Sequence, residues 1–398
     1  MLFEFDPLAE QKAKLKVVGV GGAGGNAINR MISTNMEGVD FIVINTDAQD
    51  LENNAAEQKI QIGSNLTKGL GAGARSTIGL EAMETDKDAV QSLLEGADMV
   101  FITAGMGGGT GTGAAPVIAQ IARELDILTV GIVTLPFNFE GPKRMNRGLS
   151  GISEMRKACD TLLIIPNQKL MSIVDKSTTL LEAFHLADSI LNQAAKGISD
   201  LINVHGMINL DFADVETIMK NMGEAIMGTG FASGEERAVL SAQQAIASPL
   251  LDNASISGAQ GILVNITGGK GLTLHEVDEA TSIIFEEAGN DANIIFGAVI
   301  DPNLEEEIQV TVIATGFNNH KYREDSDETK HSTTSSKREV NRLLGEKINV
   351  SLSEQKNIPE AISLKNEKPN PNILIDDDNP VIYGNDIEIP AFIRRQHE

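Results

Sequence analysis

The chain has 398 residues, of which 41% are apolar and 22% are charged, an ordinary composition for a globular protein. Because a single hydrophobic core usually stops growing at about 250–300 residues, this length predicts two domains and a tail. The formal net charge is −24, and the 12 basic and 15 acidic residues after Phe317 leave −21 to residues 1–317, which disfavours binding to nucleic acid or anionic lipid.

Cysteine usage and the N-terminal sequence indicate the compartment. Cys159 is the only cysteine in the sequence, which excludes an internal disulfide and a cysteine-rich metal site and fits a reducing cytoplasm. Residues 1–12, which we expect to be flexible, carry Glu4 and Asp6 where a signal peptide has basic residues. No apolar run approaches the roughly 18 residues of a membrane-spanning helix. We therefore expect a cytoplasmic protein that is not inserted into a membrane.

Residues 13–176 alternate short aliphatic runs with glycine turns and stretches of helical periodicity. Most of the runs are continuously apolar, which is typical of parallel strands covered by helices on both faces. The predicted strands are Leu15–Val20, Phe41–Asn45, Met99–Thr103, Ile127–Thr134 and Thr161–Ile165. This pattern predicts a doubly wound α/β domain with a mostly parallel sheet.

A long helix and a second, smaller domain follow. Apolar residues at helical spacing predict a central helix over residues 177–202, which at about 37 Å could join two domains as a rigid strut. For residues 203–317 we predict a smaller α/β domain that contains the helix Leu274–Glu287 and strands at Gly261–Thr267, Ala292–Ile300 and Ile308–Thr315.

The composition changes abruptly after Phe317. Residues 318–380 are polar and lack apolar periodicity, which predicts a disordered linker. Residues 381–398 contain an apolar cluster followed by two arginines. Such a cluster at the end of a polar tail is typical of a peptide that binds a partner.

A first glycine-rich loop follows the first predicted strand. Gly19 to Gly24 satisfies the G-x-G-x-x-G pattern of dinucleotide-binding domains, in which glycines let the backbone approach a pyrophosphate at the amino end of a helix. Asp47 lies near the place of the acid that binds a ribose in such domains. The same glycines are also compatible with a tight strand-to-helix turn. Taken alone, this loop suggests an NAD-dependent oxidoreductase.

A second and denser glycine loop changes that interpretation. The seven residues from Gly107 to Gly113 comprise five glycines and two threonines, with no lysine. They offer backbone N–H groups and hydroxyls to phosphate oxygens. A dinucleotide-binding domain has no use for a second such loop, and the sequence lacks the G-x-x-x-x-G-K-[ST] pattern of P-loop enzymes. We therefore predict a phosphate site that is built on backbone dipoles.

Two acids follow the central helix in the segment Asn209-Leu-Asp211-Phe-Ala-Asp214. At a spacing of i and i+3, Asp211 and Asp214 could share one helix face and act together. They could equally be an N-cap and a first-turn acid that stabilise the start of a helix. The residues around them leave both interpretations open.

The run Gly107-Gly-Gly-Thr-Gly-Thr-Gly113 resembles the signature of the tubulin/FtsZ family, in the form found in its bacterial FtsZ branch. The resemblance extends from about Lys14 to Phe317, with the motifs in the family's order. It implies a GTPase that binds GTP and GDP with Mg²⁺ and polymerises head to tail into the cytokinetic ring at the mid-cell division site. An oxidoreductase would explain only Gly19–Gly24, and a scaffold that does not hydrolyse GTP would not need the two acids.

The resemblance also implies roles for individual residues. Asp188 would accept hydrogen bonds from the ring N1–H and amino group of guanine, which adenine does not offer, and Phe184 would stack on the base unless it is a core residue. Glu140 and Arg144 match the ribose contacts, and Asn167 joins Phe184 and Asp188 as a guanine contact. The other residues expected to bind the nucleotide are Gly21, Gly22, Asn26, Asp47, Ala72, Gly73, Ala74, Gly107, Gly108, Gly109, Thr110, Gly111, Thr112, Gly113 and Thr134.

In the family, catalysis is shared between subunits. The resemblance implies that Asn209, Asp211 and Asp214 insert against the γ-phosphate of the next subunit, where the two acids orient the attacking water and interact with a cation whose protein ligands remain unassigned. The segment from Asp386 to Gln396 resembles the peptide that docks onto membrane-tethering division proteins. The expected partners are therefore further copies of the chain and such tethers, with no nucleic acid and no direct membrane insertion.

Overall fold

A computed structural model describes residues 12–317, except residues 176, 205, 209, 252–255 and 290. Ten strands and twelve α-helices follow one another in this part of the chain. In chain order they are β1 (Leu15–Val20), α1 (Gly21–Ser33), β2 (Val39–Asn45), α2 (Ala48–Glu52), β3 (Gln58–Gln61), α3 (Ser64–Thr67), α4 (Ser76–Thr85), α5 (Lys87–Leu94), β4 (Met99–Gly105), α6 (Thr110–Glu124), β5 (Leu128–Leu135), α7 (Pro142–Ala158), β6 (Thr161–Pro166), α8 (Asn167–Leu170), α9 (Leu180–Asn203), α10 (Phe212–Met219), β7 (Gly223–Ser233), α11 (Arg237–Ile246), β8 (Gly261–Gly268), α12 (Leu274–Ala288), β9 (Asn293–Ile300) and β10 (Glu307–Thr315). None of these described helices is both long and apolar enough to cross a membrane.

Across the described residues the strands form one mixed sheet in the order β3-β2-β1-β4-β5-β6-β7-β10-β8-β9. Neighbouring strands are parallel except at β10, which runs antiparallel to both of its neighbours, β7 and β8. The predicted α/β class with a mostly parallel sheet is therefore confirmed.

The strand order β3-β2-β1-β4-β5-β6 is that of a doubly wound sheet. The direction of winding reverses between β1 and β4, and ligands of such sheets bind in the crevice outside the carboxyl ends of the strands at this point. β1 runs into the first glycine loop, and β4 runs into the second. The topology therefore brings the two loops side by side.

Two strands, β3 and β7, are absent from the sequence prediction. β7 contains Gly223, Gly228 and Gly230, and glycine weakens a strand assignment because it has no side chain to pack. A Cβ atom at Gly228 would lie 2.0 Å from the carbonyl oxygen of Ala245, and one at Gly230 would lie 2.0 Å from that of Ser241. α11 therefore packs on β7 at a distance that only glycine permits. The glycines of β7 are therefore explained by the close packing of α11, and the strand cannot be recognised from alternation of apolar residues.

The central helix is α9, which begins at Leu180 rather than at 177 and ends at Asn203 rather than at 202. A capping box sets its start, because the Thr179 hydroxyl accepts from the Glu182 N–H at 3.3 Å and the Glu182 carboxylate accepts from the Thr179 N–H at 2.7 Å. The buried face of α9 repeats at helical spacing and includes Ala187, Ile190, Leu191, Ala194, Ile198 and Leu201.

Three buried apolar clusters stabilise the described residues. The buried members of one cluster all come from residues 18–162, and those of another all come from residues 238–314. The third surrounds α9 and combines side chains from both ends of the sheet, such as Phe101 and Leu263. α9 thus packs against both halves, although the domain boundaries at 176 and 203 stay predictions. Residues 1–11, the linker and the terminal peptide lie outside the described residues.

Candidate functional site

α6 begins inside the second glycine loop, so that Gly107, Gly108 and Gly109 precede the helix and the segment Thr110–Gly113 forms its first turn. The N–H groups of a first turn have no partner within the helix and lie at the positive end of its dipole. This turn contains no acidic residue, and Gly109 at the N-cap position has no side chain that could cap it. The helix end is therefore suited to bind an anion such as a phosphate.

Three loops meet at the amino end of α6. A Cβ atom at Gly109 would lie 2.3 Å from the carbonyl oxygen of Gly73. A Cβ atom at Gly21, where φ is +70°, would lie 3.0 Å from the backbone nitrogen of Gly111. Backbones can approach this closely only where side chains are missing. The structure thus brings together the first loop, the second loop and residues 71–74, as the predicted nucleotide contacts require.

The loop after β2 lies against residues 71–74. The Gly71 N–H donates to the Thr46 carbonyl at 3.3 Å, and Asp47 forms an isolated antiparallel bridge with Leu70. The Asp47 carboxylate accepts hydrogen bonds from two N–H groups in the first turn of α2 and caps this helix. Among the other residues predicted to bind the nucleotide here, Ala72 is buried, and the exposed ones are Gly22, Asn26, Gly73 and Ala74.

Threonine hydroxyls connect these loops to one another. Thr110 Oγ1 lies 2.7 Å from Thr46 Oγ1, and Thr112 Oγ1 accepts from the Gly107 N–H at 2.8 Å. Arg147 Nε donates to the Gly107 carbonyl at 3.0 Å. These contacts hold the second loop in one shape, which is a role beyond the phosphate contact that we predict for the threonines.

The two residues predicted to hold the ribose form an ion pair around the start of α7. Arg144 Nη1 lies 2.8 Å from Glu140 Oε2, and Glu140 Oε1 accepts from the Phe137 N–H at 2.8 Å. The Glu140 side chain is largely buried, whereas that of Arg144 is half-exposed. The buried Thr134 lies near the end of β5, and its carbonyl accepts from the Met106 N–H at 2.8 Å beside the second loop. Glu140 and Thr134 therefore lie at the carboxyl end of β5.

Phe184 lies near the start of α9 and is 38% exposed. Its ring meets the buried Phe137 edge to face, with 5.6 Å between the ring centroids. An aromatic ring with this much exposed surface does not belong to the core. The interpretation of Phe184 as a core residue is therefore wrong. The exposed part of the ring is available for stacking on a base.

Two acceptors lie on the neighbouring helices α8 and α9. Asn167, at the beginning of α8, is 6% exposed, and its Oδ1 has no hydrogen-bond partner among the described residues. Buried polar atoms normally have a partner, so this oxygen is suited to accept from a ligand. Asp188 is half-buried one turn after Phe184; burial raises its pKa to about 6, and His185 and Arg30 oppose this shift. Both side chains can accept from the donor edge of guanine.

Asp211 and Asp214 are exposed at the start of α10. Asp211 occupies the N-cap position, but its side chain makes no capping hydrogen bond, so the N-cap interpretation does not explain its carboxylate. Asp214 lies in the first turn, where its charge also complements the helix dipole. Asn209 lies outside the described residues.

α9 separates these acids from the glycine loops. Near its start Phe184 contacts Phe137, which follows the carboxyl end of β5. At its end Asn203 Nδ2 donates to the carbonyl of Gly38, just before the amino end of β2, at 3.0 Å. The last residue of α10 accepts a hydrogen bond from the hydroxyl of Thr161, the first residue of β6. Between these two helices Ile208 forms an isolated bridge with Ala298 of β9. α9 therefore ends, and α10 is bonded, at the edge of the sheet where the parallel strands β2 and β6 begin (the amino edge), whereas the glycine loops follow the carboxyl ends of β1 and β4 (the carboxyl edge).

Comparison with known proteins places the chain in a family. A profile of the tubulin/FtsZ family GTPase domain matches residues 14–175, and a profile of the FtsZ family C-terminal domain matches residues 223–318. The solved structure of an empty FtsZ dimer from M. jannaschii shares 44% sequence identity with a TM-score of 0.75, and the match covers 79% of this chain and 90% of that chain. This chain belongs to the tubulin/FtsZ family. As a member it binds and hydrolyses GTP, and membership implies GTP-dependent polymerisation.

Two more distant structures share the FtsZ-like fold. CetZ1 from Haloferax volcanii, solved as a GDP-bound monomer, has 21% identity and a TM-score of 0.67 over 77% of this chain and 95% of that chain. CetZ2 from the same organism, solved as a GTPγS-bound protofilament, has 22% identity and a TM-score of 0.66 over 81% of this chain and 99% of that chain. At this identity the matches show a common fold.

One residue that shapes the candidate site is missing from the sequence prediction. Arg147 lies one helical turn after Arg144 in α7, and its bond to the Gly107 carbonyl fixes the second loop. The spacing of i and i+3 places both arginines on the same side of the helix, which could have indicated a shared role.

Proposed function

We propose that this FtsZ-family GTPase hydrolyses GTP at the contact between two subunits of a head-to-tail polymer. The single observation that carries this proposal is the location of Asp211 and Asp214 beyond the end of α9, at the sheet edge opposite to the glycine loops. α9 has 24 residues and is about 36 Å long, so a carboxylate beyond its end cannot reach a nucleotide bound near its start. The acids are instead available to the nucleotide of the next subunit.

A contact between the carboxyl edge of one subunit and the amino edge of the next joins two different surfaces. Such a contact does not need to close on itself, and it generates an open filament. The M. jannaschii FtsZ structure contains a dimer, and the CetZ2 structure is a protofilament, which supports self-association of the chain. Hydrolysis would remove the γ-phosphate that lies at the contact between subunits. The contact would become weaker, so that subunits leave the polymer and can assemble again.

We assign the parts of GTP to the three regions of the site. The phosphates bind to the amino end of α6 and to the first loop, where N–H groups converge. The ribose lies against Glu140 and Arg144. Guanine lies on Phe184 and donates to Asn167 and Asp188. The GDP-bound CetZ1 and GTPγS-bound CetZ2 structures support nucleotide binding by this fold.

Mg²⁺ is the cation that we propose for the triphosphate. It prefers oxygen ligands and is usually bound through one or two carboxylates together with substrate phosphates and water. The exposed carboxylates of Asp211 and Asp214 fit this donor set, and no convergent group of three His, Cys, Asp or Glu side chains occurs in the described residues. The ion would neutralise charge on the phosphates, while the two acids position the attacking water.

The cellular setting is also part of the proposal. We infer that the filament forms the cytokinetic ring at the mid-cell division site of a bacterium and stays in the cytoplasm, tethered through Asp386–Gln396. Phe392 and Ile393 would be apolar anchors in that peptide, and Pro390 limits any helix to the residues that follow it. Family membership supports the division role, and the tether rests on the sequence of the tail.

Phosphate release at increasing protein concentration tests the shared site. We expect release per subunit to rise with concentration, together with light scattering that requires GTP and is not produced by ATP or NAD. Asp211→Ala should bind GTP as tightly as the wild type but release phosphate at least about a hundredfold more slowly, because the water is no longer positioned. Glu216→Ala, which removes an acid from the same helix, is the matched control.

Mixing two variants separates a shared site from a site within one subunit. Asp188→Ala weakens guanine binding but keeps the acids, whereas Asp211→Ala keeps the nucleotide site. A mixture should hydrolyse GTP faster than either variant alone, because one subunit holds the nucleotide and the other presents the acids. A dilute wild type that is as fast per subunit as a concentrated one, or an Asp211→Ala variant that cannot bind GTP, contradicts the proposal.

A further inference from the structure

A carboxylate that is not among the predicted nucleotide contacts lies behind the loop after β2. Asp50, in α2, accepts a hydrogen bond from Asn45 Nδ2 through its Oδ2 at 2.6 Å. Asn45 is the last residue of β2 and is only 3% exposed. Because water has little access to this amide, Asp50 is the partner that satisfies it.

Asn45 connects Asp50 to the loop. Its Oδ1 accepts from the N–H groups of Thr46 at 2.8 Å and Asp47 at 3.3 Å. An ionised carboxylate can only accept and a backbone N–H can only donate, so one orientation of the Asn45 amide satisfies all three bonds. The Asp50 carboxylate therefore fixes this orientation and, through it, the two N–H groups of the loop.

The loop held in this way adjoins the amino end of α6. Thr46 Oγ1 lies 2.7 Å from Thr110 Oγ1, in the first turn of that helix, and the Thr46 carbonyl accepts from the Gly71 N–H at 3.3 Å. The Asp47 carboxylate in turn accepts from the Asp50 N–H at 3.3 Å. Asp50 is thus bonded to the loop through both its side chain and its backbone.

Asp50 also lies against the first glycine loop. Its Oδ2 is 3.5 Å from the position of a Cβ atom at Gly22 and 3.9 Å from that at Gly25. Burial and the charge of Asp47 raise the pKa of Asp50, and the hydrogen bond from Asn45 lowers it. The Asn45 amide therefore stabilises an ionised carboxylate where the surroundings disfavour charge.

We propose that Asp50 is a positioning residue of the GTPase site, which acts through Asn45 to hold Asn45–Asp47 in the shape that binds the phosphates of the nucleotide. This inference rests on the assignment of the phosphates to the amino end of α6. The competing explanation is that Asp50 only stabilises α2 as a first-turn acid.

Three variants distinguish these roles by their affinity for GDP, titrated below the concentration at which filaments form. Asp50→Ala leaves the buried Asn45 amide without its acceptor, and we expect GDP to bind about tenfold more weakly. Asp50→Asn keeps a carbonyl oxygen that can accept from Asn45, and we expect it to bind within about threefold of the wild type. Glu52→Ala removes an exposed acid from the same helix and should bind as the wild type does.

Thermal unfolding without nucleotide separates positioning from folding. Asp50→Ala and Glu52→Ala should both unfold within about 5 °C of the wild type. The proposal is overturned if Asp50→Ala binds GDP like the wild type, if Asp50→Asn loses as much affinity, if Glu52→Ala loses the same affinity, or if the midpoint of Asp50→Ala falls further than this. A wild type that does not bind GDP would instead contradict the nucleotide site itself.

Discussion

Asp188, which we propose as a guanine contact, is a carboxyl group whose pKa is altered by burial. Its pKa is raised to about 6 by burial, against the opposing charges of His185 and Arg30. An ordinary aspartate has a pKa of about 3.9 and would stay ionised through this range. A protonated carboxyl group would present an O–H donor to the donor edge of guanine. In our assignment, guanine therefore binds only to the ionised form of Asp188, which forms when the carboxyl group loses its proton near pH 6.

This assignment predicts a pH-dependent affinity. The ionised form of Asp188 is the one that accepts from guanine, so affinity is lost as the pH falls through about 6. Between pH 7 and pH 5 we expect GDP to bind about tenfold more weakly, measured by titration at each pH.

Asp188→Asn supplies the control, because the asparagine side chain cannot ionise. Any effect of pH on the nucleotide itself is the same for this variant and for the wild type. Its affinity should be lower at pH 7 and should change less between pH 7 and pH 5. If the variant and the wild type lose affinity in parallel, Asp188 does not set the pH dependence.

At the level of elements, backbone packing decides positions that side chains do not mark. α11 lies so close to β7 that Gly228 and Gly230 have no room for a Cβ atom. β7 in turn connects the parallel strands to the last three strands, because it pairs with both β6 and β10. The two ends of the sheet are therefore joined through β7, a strand whose glycine-rich composition is not typical of strands.

Gly228→Ala tests this close packing. The new methyl group would overlap the Ala245 carbonyl, so α11 must shift, and we expect the free energy of unfolding in urea to fall by about 1–3 kcal/mol. Gly271→Ala is the matched control, because no atom lies within 4 Å of a Cβ atom there. Equal effects of the two substitutions would show that the close approach does not matter for stability.

At the level of the whole molecule, the two parts of the proposed active site lie at opposite edges of one sheet. The carboxyl edge carries the glycine loops, and α9 leads away from it to the acids at the amino edge. In our proposal, a subunit has a complete active site only with neighbours on both sides. The described elements of both half-sites lie within residues 12–317, so the tail is not needed for assembly in our proposal.

Deletion of residues 386–398 tests whether the terminal peptide is needed for membrane recruitment and not for assembly. We expect GTP-dependent light scattering and phosphate release to stay at wild-type levels, because both half-sites are retained. Recruitment of the tagged chain to the membrane in cells should be abolished, because the apolar anchors of the peptide are gone.

Deletion of residues 360–372 removes the same length from the linker and controls for tail length. Loss of assembly after deletion of residues 386–398 would contradict the prediction, as would membrane recruitment that persists without them.

The amino-acid sequence by itself determined the α/β class, most strands of the parallel sheet and the central helix, because continuous apolar runs and helical periodicity are local patterns. Glycine density identified the second loop, since so many glycines destabilise a chain unless close approach requires them. Only the tertiary structure decided that β7 is a strand, that Asp50 and Arg147 support the loops, and that Asp211 lies at the edge away from Gly107. Most of these facts depend on distances between residues far apart in the chain, which no local pattern encodes. Asp50 is only five residues from Asn45, but no sequence motif marks the hydrogen bond between them.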